Sequence, residues 1–273
     1  MSAVAEAFAR AAGQDRAALV GYLPAGFPSV PGAIAAARAM AAAGADVVEI
    51  GLPYSDPLID GPVIQEATHR ALAGGTRVAD VLRTTAAVAG AGVPVLVMTY
   101  WNPVDHYGVP AFARDLAGAG GSGLITPDLT PEEAGPWLEA AAAHRLDPVF
   151  LVAPSSSAER IKLITSACGG FVYAASLMGT TGTRDAVGGQ AAGLVRRVRE
   201  HTSLPVAVGL GVRDRSQAAQ VAGFADGVIV GSAFVRRLLD APGEAAGIVA
   251  VRDLAAELAL GVRDRAAPSG RKP

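Results

Sequence analysis

Residues 46–62 read DVVEIGLPYSDPLIDGP. Val47, Val48 and Ile50 belong to an apolar run too short for a helix, the pattern of a buried strand. Glu49 stands inside that run, and the strand spills into a loop that carries Asp56 and Asp60. An unpaired carboxylate among Val and Ile costs several kcal/mol. Its presence there calls for a reason, and the rest of the chain supplies the frame.

Seven more short apolar runs follow the same form: ALVGYLP (18–24), PVLVMTY (94–100), GLITP (123–127), PVFLVAP (148–154), FVYAAS (171–176), PVAVGLG (205–211) and GVIVGS (227–232). Each is followed by an Ala-, Arg- and Glu-rich segment of helical period. Near-continuous apolar strands separated by helices predict a parallel sheet covered by helices. Eight such units in 273 residues predict an α/β fold, a (β/α)8 TIM barrel. A doubly wound open sheet would carry G-x-G-x-x-G after its first strand, where GYLPAGFP (21–28) stands instead. The N-terminal SAVAEAFARAAGQDR (2–16) predicts an extra leading amphipathic helix rather than a signal peptide. The long gap from Gly51 to Pro94 predicts extra helices after strand 2, in PVIQEATHRALAGG (62–75) and VADVLRTTAAVAG (78–90). One barrel domain is expected over residues 1–260, with a polar, frayed tail over 261–273.

Composition narrows the function. A net charge of −2, with neither basic runs nor interleaved aromatics, argues against a nucleic acid or an anionic membrane as partner. The most apolar region, 86–101, is broken by Gly90, Gly92 and Pro94, so no membrane span is expected. The one cysteine, Cys168, cannot form an intramolecular disulfide and fits a reducing, cytoplasmic setting. His69, His106, His144 and His201 stand far apart without ligand spacing, so no metal site is expected. Of the two lysines, Lys162 falls on an outer helix and Lys272 in the tail, which leaves no amine for a Schiff base at the mouth.

In such barrels the active site lies at the C-terminal strand ends. Glu49 and Asp60 therefore lead the candidates, as a proton-transferring pair if their surroundings separate their pKa values. Asp60-Gly61-Pro62 taken alone is an ordinary turn and helix start, and Glu49 could instead serve a structural ion pair. Strands 7 and 8 end in Gly209-Leu210-Gly211 and Gly231-Ser232, where barrels often bind phosphate. The loop LMGTTGTRDAVGGQ (177–190) suits a lid, with Thr181, Gly182 and Arg184 as its working residues. Tyr100 and Tyr173 fall in strands, as core residues or as walls of a pocket for a flat substrate.

The residues from about Ala18 to the last helix closely resemble the tryptophan synthase alpha subunit family. The most specific match is E-x-G-x-P-x-S-D-P-x-x-D-G-P-x-I-Q from Glu49 to Gln65; MTYWNPVDHYG (98–108), ITPDLTPEEA (125–134), GTTG (179–182), GLGV (209–212) and GSAFV (231–235) follow in order. The resemblance implies a lyase that cleaves indole-3-glycerol phosphate to indole and glyceraldehyde 3-phosphate in tryptophan biosynthesis. It implies Glu49 as the acid/base and Asp60 as the hydrogen-bond acceptor for the indole N–H. Tyr22, Tyr100, Tyr173, Leu210 and Ile229 match the indole pocket; Gly182, Gly209, Gly211, Gly231 and Ser232 match the phosphate site; Thr181 matches the lid. Pro53, Asp56 and Asn102 match positions that face a beta subunit, in an alpha2beta2 assembly whose pyridoxal phosphate belongs to the beta chain; the alpha chain itself is expected to need no cofactor. Phe27, Ile59 and Thr180 depart from the family pattern.

Overall fold

The first two strands, β1 (Ala18–Pro24) and β2 (Val47–Gly51), run parallel, with Tyr22 opposite Glu49 and Leu23 opposite Ile50. In the computed structural model the described residues are 1–175, 184–209 and 211–264, with 184–188 described as backbone only. The remaining strands are β3 (Val95–Met98), β4 (Gly123–Ile125), β5 (Asp147–Val149), β6 (Leu151–Val152), β7 (Val172–Ala175), β8 (Val206–Gly209) and β9 (Gly227–Val230). Their order is β5-β4-β3-β2-β1-β9-β8-β7-β6, and every pairing is parallel.

The terminal members of that order, β5 and β6, are two halves of the single run expected at 148–154, divided at Phe150. The first half pairs with β4 and the second with β7. Closing a barrel tilts and staggers its strands, so one strand can meet its two neighbours along different parts of its length. The expected (β/α)8 barrel is therefore what forms, with its fifth strand counted twice. A second correction concerns Tyr100, which was expected in a strand. β3 ends at Met98, Thr99 N still donates to Ile125 O at 3.1 Å, and Tyr100 sits beyond the sheet as the N-cap residue of α5 (Trp101–Tyr107).

Along each strand, side chains alternate between two apolar clusters, as the two-residue strand period requires. Val20, Val47, Leu96, Ile125, Val149, Ala207 and Ile229 fill the barrel, while Val48, Ile50, Val97, Leu124, Val208 and Val228 face the helices. The leading helix α1 (Ala3–Gly13) packs Val4, Ala7, Phe8 and Ala11 into the inner cluster. Phe8 meets Phe171 at 5.1 Å between ring centroids, and a Cβ at Gly227 would lie 2.8 Å from the Phe8 ring. The helix thus plugs the N-terminal end of the barrel and leaves the opposite end open to function.

The outer layer begins with α2 (Val30–Ala42), capped by Ser29 Oγ accepting from Gly32 N at 3.0 Å. Both expected extra helices follow β2, as α3 (Pro62–Ala73), with Pro62 in its first turn, and α4 (Val78–Ala89). After α5 come α6 (Val109–Gly118), α7 (Gly135–His144), α8 (Ala158–Ala167) and α9 (Arg184–Arg199). The layer ends with α10 (Arg215–Ala222), α11 (Ser232–Leu239) and α12 (Glu244–Gly261). Lys162 lies on α8, on the outside, as expected. Among the described residues no helix is long and apolar enough to cross a membrane. Residues 265–273 of the expected tail lie outside the described residues.

Candidate active site

Glu49 is the third residue of β2 and shares the inward parity of Val47, which directs its side chain into the barrel. It is fully buried, and neither carboxylate oxygen has a hydrogen-bond partner among the described residues. Removal from water disfavours the charged form and pushes its pKa up to about 8. Asp46, three residues earlier, behaves differently. Arg16 donates to it from two nitrogens, at 2.6 and 2.7 Å, and Leu19 N donates at 2.9 Å. A structural ion pair of the kind weighed for Glu49 thus exists in this strand region, but at the plugged end and on Asp46.

Asp60 enters from the loop after β2, just before Gly61 caps α3. Burial raises its pKa, and a hydrogen bond with the Tyr100 hydroxyl opposes the rise. The same hydroxyl accepts from Leu58 N at 3.0 Å and Ile59 N at 3.1 Å. One phenol therefore pins the loop backbone and donates to the carboxylate at its end. Tyr54 packs beside it, with ring centroids 5.2 Å apart.

Tyr22 and Tyr173 complete the wall. Burial first, and then the charges of Asp60 and Glu49, hold the Tyr22 phenol well above its ordinary pKa; burial followed by Glu49 and Asp60 does the same for Tyr173. Tyr22 is thus within electrostatic reach of Glu49, Asp60, Tyr100 and Tyr173, and Tyr173 within reach of both carboxylates. Glycines make room for the rings: a Cβ at Gly51 would lie 2.2 Å from Tyr22 Oη, and one at Gly209 would lie 2.7 Å from Tyr173 Oη. Ile229 faces the barrel from β9, opposite Gly209 of β8. A cavity of about 600 Å³ opens at this end, lined by Ile59, Thr126, Leu151, Tyr173, Ala175 and Gly209 among others.

At the expected phosphate site, Gly211 adopts a left-handed φ of 69°, which favours glycine. Gly231 is the N-cap residue of α11 and Ser232 its first residue. A Cβ at Gly231 would approach the Tyr22 ring at 3.3 Å, so the glycine-rich helix start abuts the aromatic wall. Thr180, Thr181, Gly182 and Leu210 lie outside the described residues, and nothing is described of the Arg184 side chain. Pro53 is buried, whereas Asp56 and Asn102 are exposed at the same end of the barrel. Leu58 and Ile59 are also exposed, at 76% and 45%. Phe27 is buried with the Arg70 guanidinium 5.9 Å from its ring centroid.

Three contributors were not singled out from sequence. Asp128, inside the ITPDLT motif, accepts from Trp101 N at 2.9 Å and braces the start of α5. Thr126 borders the cavity with a buried hydroxyl that has no partner among the described residues. Tyr54 lies in the YSDP motif (54–57), in which Asp56 alone is a sequence candidate. Among the described residues no cluster of three or more His, Cys, Asp or Glu side chains is arranged to hold a metal ion.

A barrel with two carboxylates of raised pKa at its C-terminal strand ends has the architecture of an acid–base enzyme. The sequence model of the tryptophan synthase alpha chain family matches residues 8–260. The tryptophan synthase alpha chain of Salinispora arenicola is 61% identical over 96% of this chain and 98% of its own length. That of Streptomyces coelicolor is 60% identical over 96% and 97%. Tryptophan synthase from M. tuberculosis in its aminoacrylate-bound form contains a chain that superposes with a TM-score of 0.88 at 52% identity, covering 96% of this chain and 100% of that one. The alpha subunit from Legionella pneumophila superposes at 0.87 with 33% identity, covering 96% and 98%. The chain belongs to the tryptophan synthase alpha chain family.

Proposed function

We propose that the chain cleaves indole-3-glycerol phosphate reversibly to indole and glyceraldehyde 3-phosphate, as a lyase of tryptophan biosynthesis, with Glu49 and Asp60 as its catalytic residues. The observation that carries this reading is the buried, unpartnered Glu49 carboxyl with its pKa near 8. Near neutral pH it holds a proton to give. Protonating indole C3 uses the C2=C3 electron pair and leaves the ring cationic at N1. Asp60 accepts a hydrogen bond from N1–H, which strengthens as that charge develops. Glu49, now a carboxylate, takes the proton of the 3′-hydroxyl; the O–H pair becomes the aldehyde C=O. The C3–C3′ bond breaks, and its electron pair restores the C2=C3 bond. Indole and glyceraldehyde 3-phosphate leave, and Glu49 has its proton again.

Tyr22, Tyr100, Tyr173, Leu210 and Ile229 would wall the indole ring. Gly182, Gly209, Gly211, Gly231 and Ser232 would take the phosphate through backbone N–H groups and the start of α11, with Thr181 on the lid. Pro53, Asp56 and Asn102 would face a beta subunit in an alpha2beta2 assembly, and the exposed Leu58 and Ile59 give that face apolar surface. Indole would pass to the beta chain, which holds the pyridoxal phosphate; this chain works without a cofactor. A cytoplasmic setting and a barrel domain over 1–260 with a tail from 261 complete the reading.

The test is release of indole and glyceraldehyde 3-phosphate from indole-3-glycerol phosphate by wild type and Glu49→Gln, each with and without a cognate beta subunit. Equimolar products that rise with the partner and vanish in the variant support the proposal. No indole from wild type plus partner would overturn it.

A further inference from the structure

We propose that Arg213 is a binding residue for the substrate phosphate, set beside the backbone groups of the anion site by a rigid loop. The inference rests on the reading of that site given above. A second cavity, of about 520 Å³, is lined by Val63, Arg213, Ser232, Arg236, Arg237 and Asp240, among others. Ser232 starts α11 and is one of the residues assigned to the phosphate. Arg236 reaches Asp240 at 4.0 Å, while the guanidinium groups of Arg213 and Arg237 have no ion pair among the described residues. The cavity therefore carries a surplus of positive charge next to the helix start.

The backbone around Arg213 is fixed by reciprocal hydrogen bonds. Asp214 caps α10 by accepting from Gln217 N at 2.9 Å, and Gln217 Oε1 accepts from Arg213 N at 2.9 Å. Both ends of the turn are held, as in a capping box, and the left-handed Gly211 directs the chain into it. Arg213 is thus presented from the loop after β8 into the cavity that Ser232 borders. The charge balance favours an anion with a cationic partner here. The mouth already contains Glu49 and Asp60, and the arginine that lines the main cavity, Arg160, is paired with Glu132. A phosphate dianion bound at the start of α11 gains from Arg213, a loop cation with no ion pair among the described residues that is free to fork onto its oxygens.

The experiment compares Arg213→Gln, Arg213→Lys and Arg215→Gln with wild type. Arg215 is paired with Asp264 at 2.5 Å and serves as the control. Kinetics are measured in the complex with the beta subunit, and binding of glycerol 3-phosphate and of indole is measured on the full chain. Loss of a charge-assisted hydrogen bond predicts a KM rise of roughly tenfold or more in Arg213→Gln, with kcat little changed. Glycerol 3-phosphate affinity falls by the same factor, indole affinity stays level, Arg213→Lys recovers part of the loss, and Arg215→Gln matches wild type. Unchanged glycerol 3-phosphate affinity in Arg213→Gln overturns the inference. Equal loss of indole and glycerol 3-phosphate affinity also overturns it, because that marks a disturbed loop. An inactive wild type that still binds glycerol 3-phosphate in an Arg213-dependent way would refute the reaction while leaving the anion site standing.

Discussion

Replacing Glu49 with Gln should stabilise the protein, by an amount set by pH. The native carboxyl has its pKa pushed from 4.5 to about 8 by burial, so between those values the folded chain holds a proton that the unfolded chain has released. Wild-type stability then falls as pH rises through this window, at about 1.4 kcal/mol per pH unit. The fall ends once the native carboxyl also ionises. From 4.5 to about 8 the loss sums to about 5 kcal/mol, and to about 3 kcal/mol at pH 7. Gln has nearly the shape of the protonated acid and does not titrate, so it removes the slope without leaving a cavity. The two proteins should unfold alike near pH 4.5 and diverge above it. At pH 7 the variant's thermal midpoint should be higher by about 6–12 °C for a chain of this size. Thermal and urea unfolding followed by circular dichroism from pH 4.5 to 8.5 at constant ionic strength would measure this. A stability difference independent of pH, or a variant less stable at pH 8, would refute the reasoning that burial alone sets this pKa.

Three other outcomes follow from single contacts. Tyr100→Phe removes the hydroxyl that accepts from Leu58 and Ile59 and bonds to Asp60; kcat should drop about tenfold. Because that bond lowers the Asp60 pKa, the acidic limb of the pH–rate profile should move to higher pH, and an unmoved limb would count against the assignment. Asp46→Ala leaves Arg16, a residue only 7% exposed, without its counter-charge and with the neutral acceptors Gln14 Oε1 and Ala17 O, and should cost about 3–5 kcal/mol in urea unfolding, with much of it recovered in Arg16→Met/Asp46→Leu. Gly51→Ala places a methyl group 2.2 Å from Tyr22 Oη, so the ring must move; about 1–3 kcal/mol of stability should be lost, with more than a tenfold loss of kcat/KM.

Most of the fold was legible because its strands are buried on both faces and stand out as short apolar runs between helical segments. β1, β2 and β7 to β9 begin and end within two residues of the runs that announce them. The divided fifth strand was not legible, since the exchange of neighbours at Phe150 follows from the stagger of a closed sheet, which no run of PVFLVAP records. Tyr100 was misplaced for a related reason. The apolar stretch continues through Thr99 and Tyr100 although the sheet stops at Met98, and hydropathy cannot mark where ladder bonds cease. The bond from Tyr100 to Asp60 joins residues forty apart, and only the folded loop brings them together.

The site was legible in kind, through the rule that strand ends carry the chemistry; what sequence could not settle is which acid in DVVEIG does structural work. Asp46 and Glu49 stand three residues apart in one apolar run, and composition treats them alike. The fold separates them along the barrel axis. Asp46 lies at the plugged end, where Arg16 and the Leu19 N–H satisfy both its oxygens. Glu49 lies toward the open end, buried to the same standard as the core yet given no donor by any described residue. Had the chain needed only stability, an apolar residue at position 49 would have served better, because an unpaired buried acid weakens the fold at every pH above its ordinary pKa. At position 49 that cost comes with a carboxyl whose pKa burial pushes up to about 8, which is the property the proposed proton transfer requires.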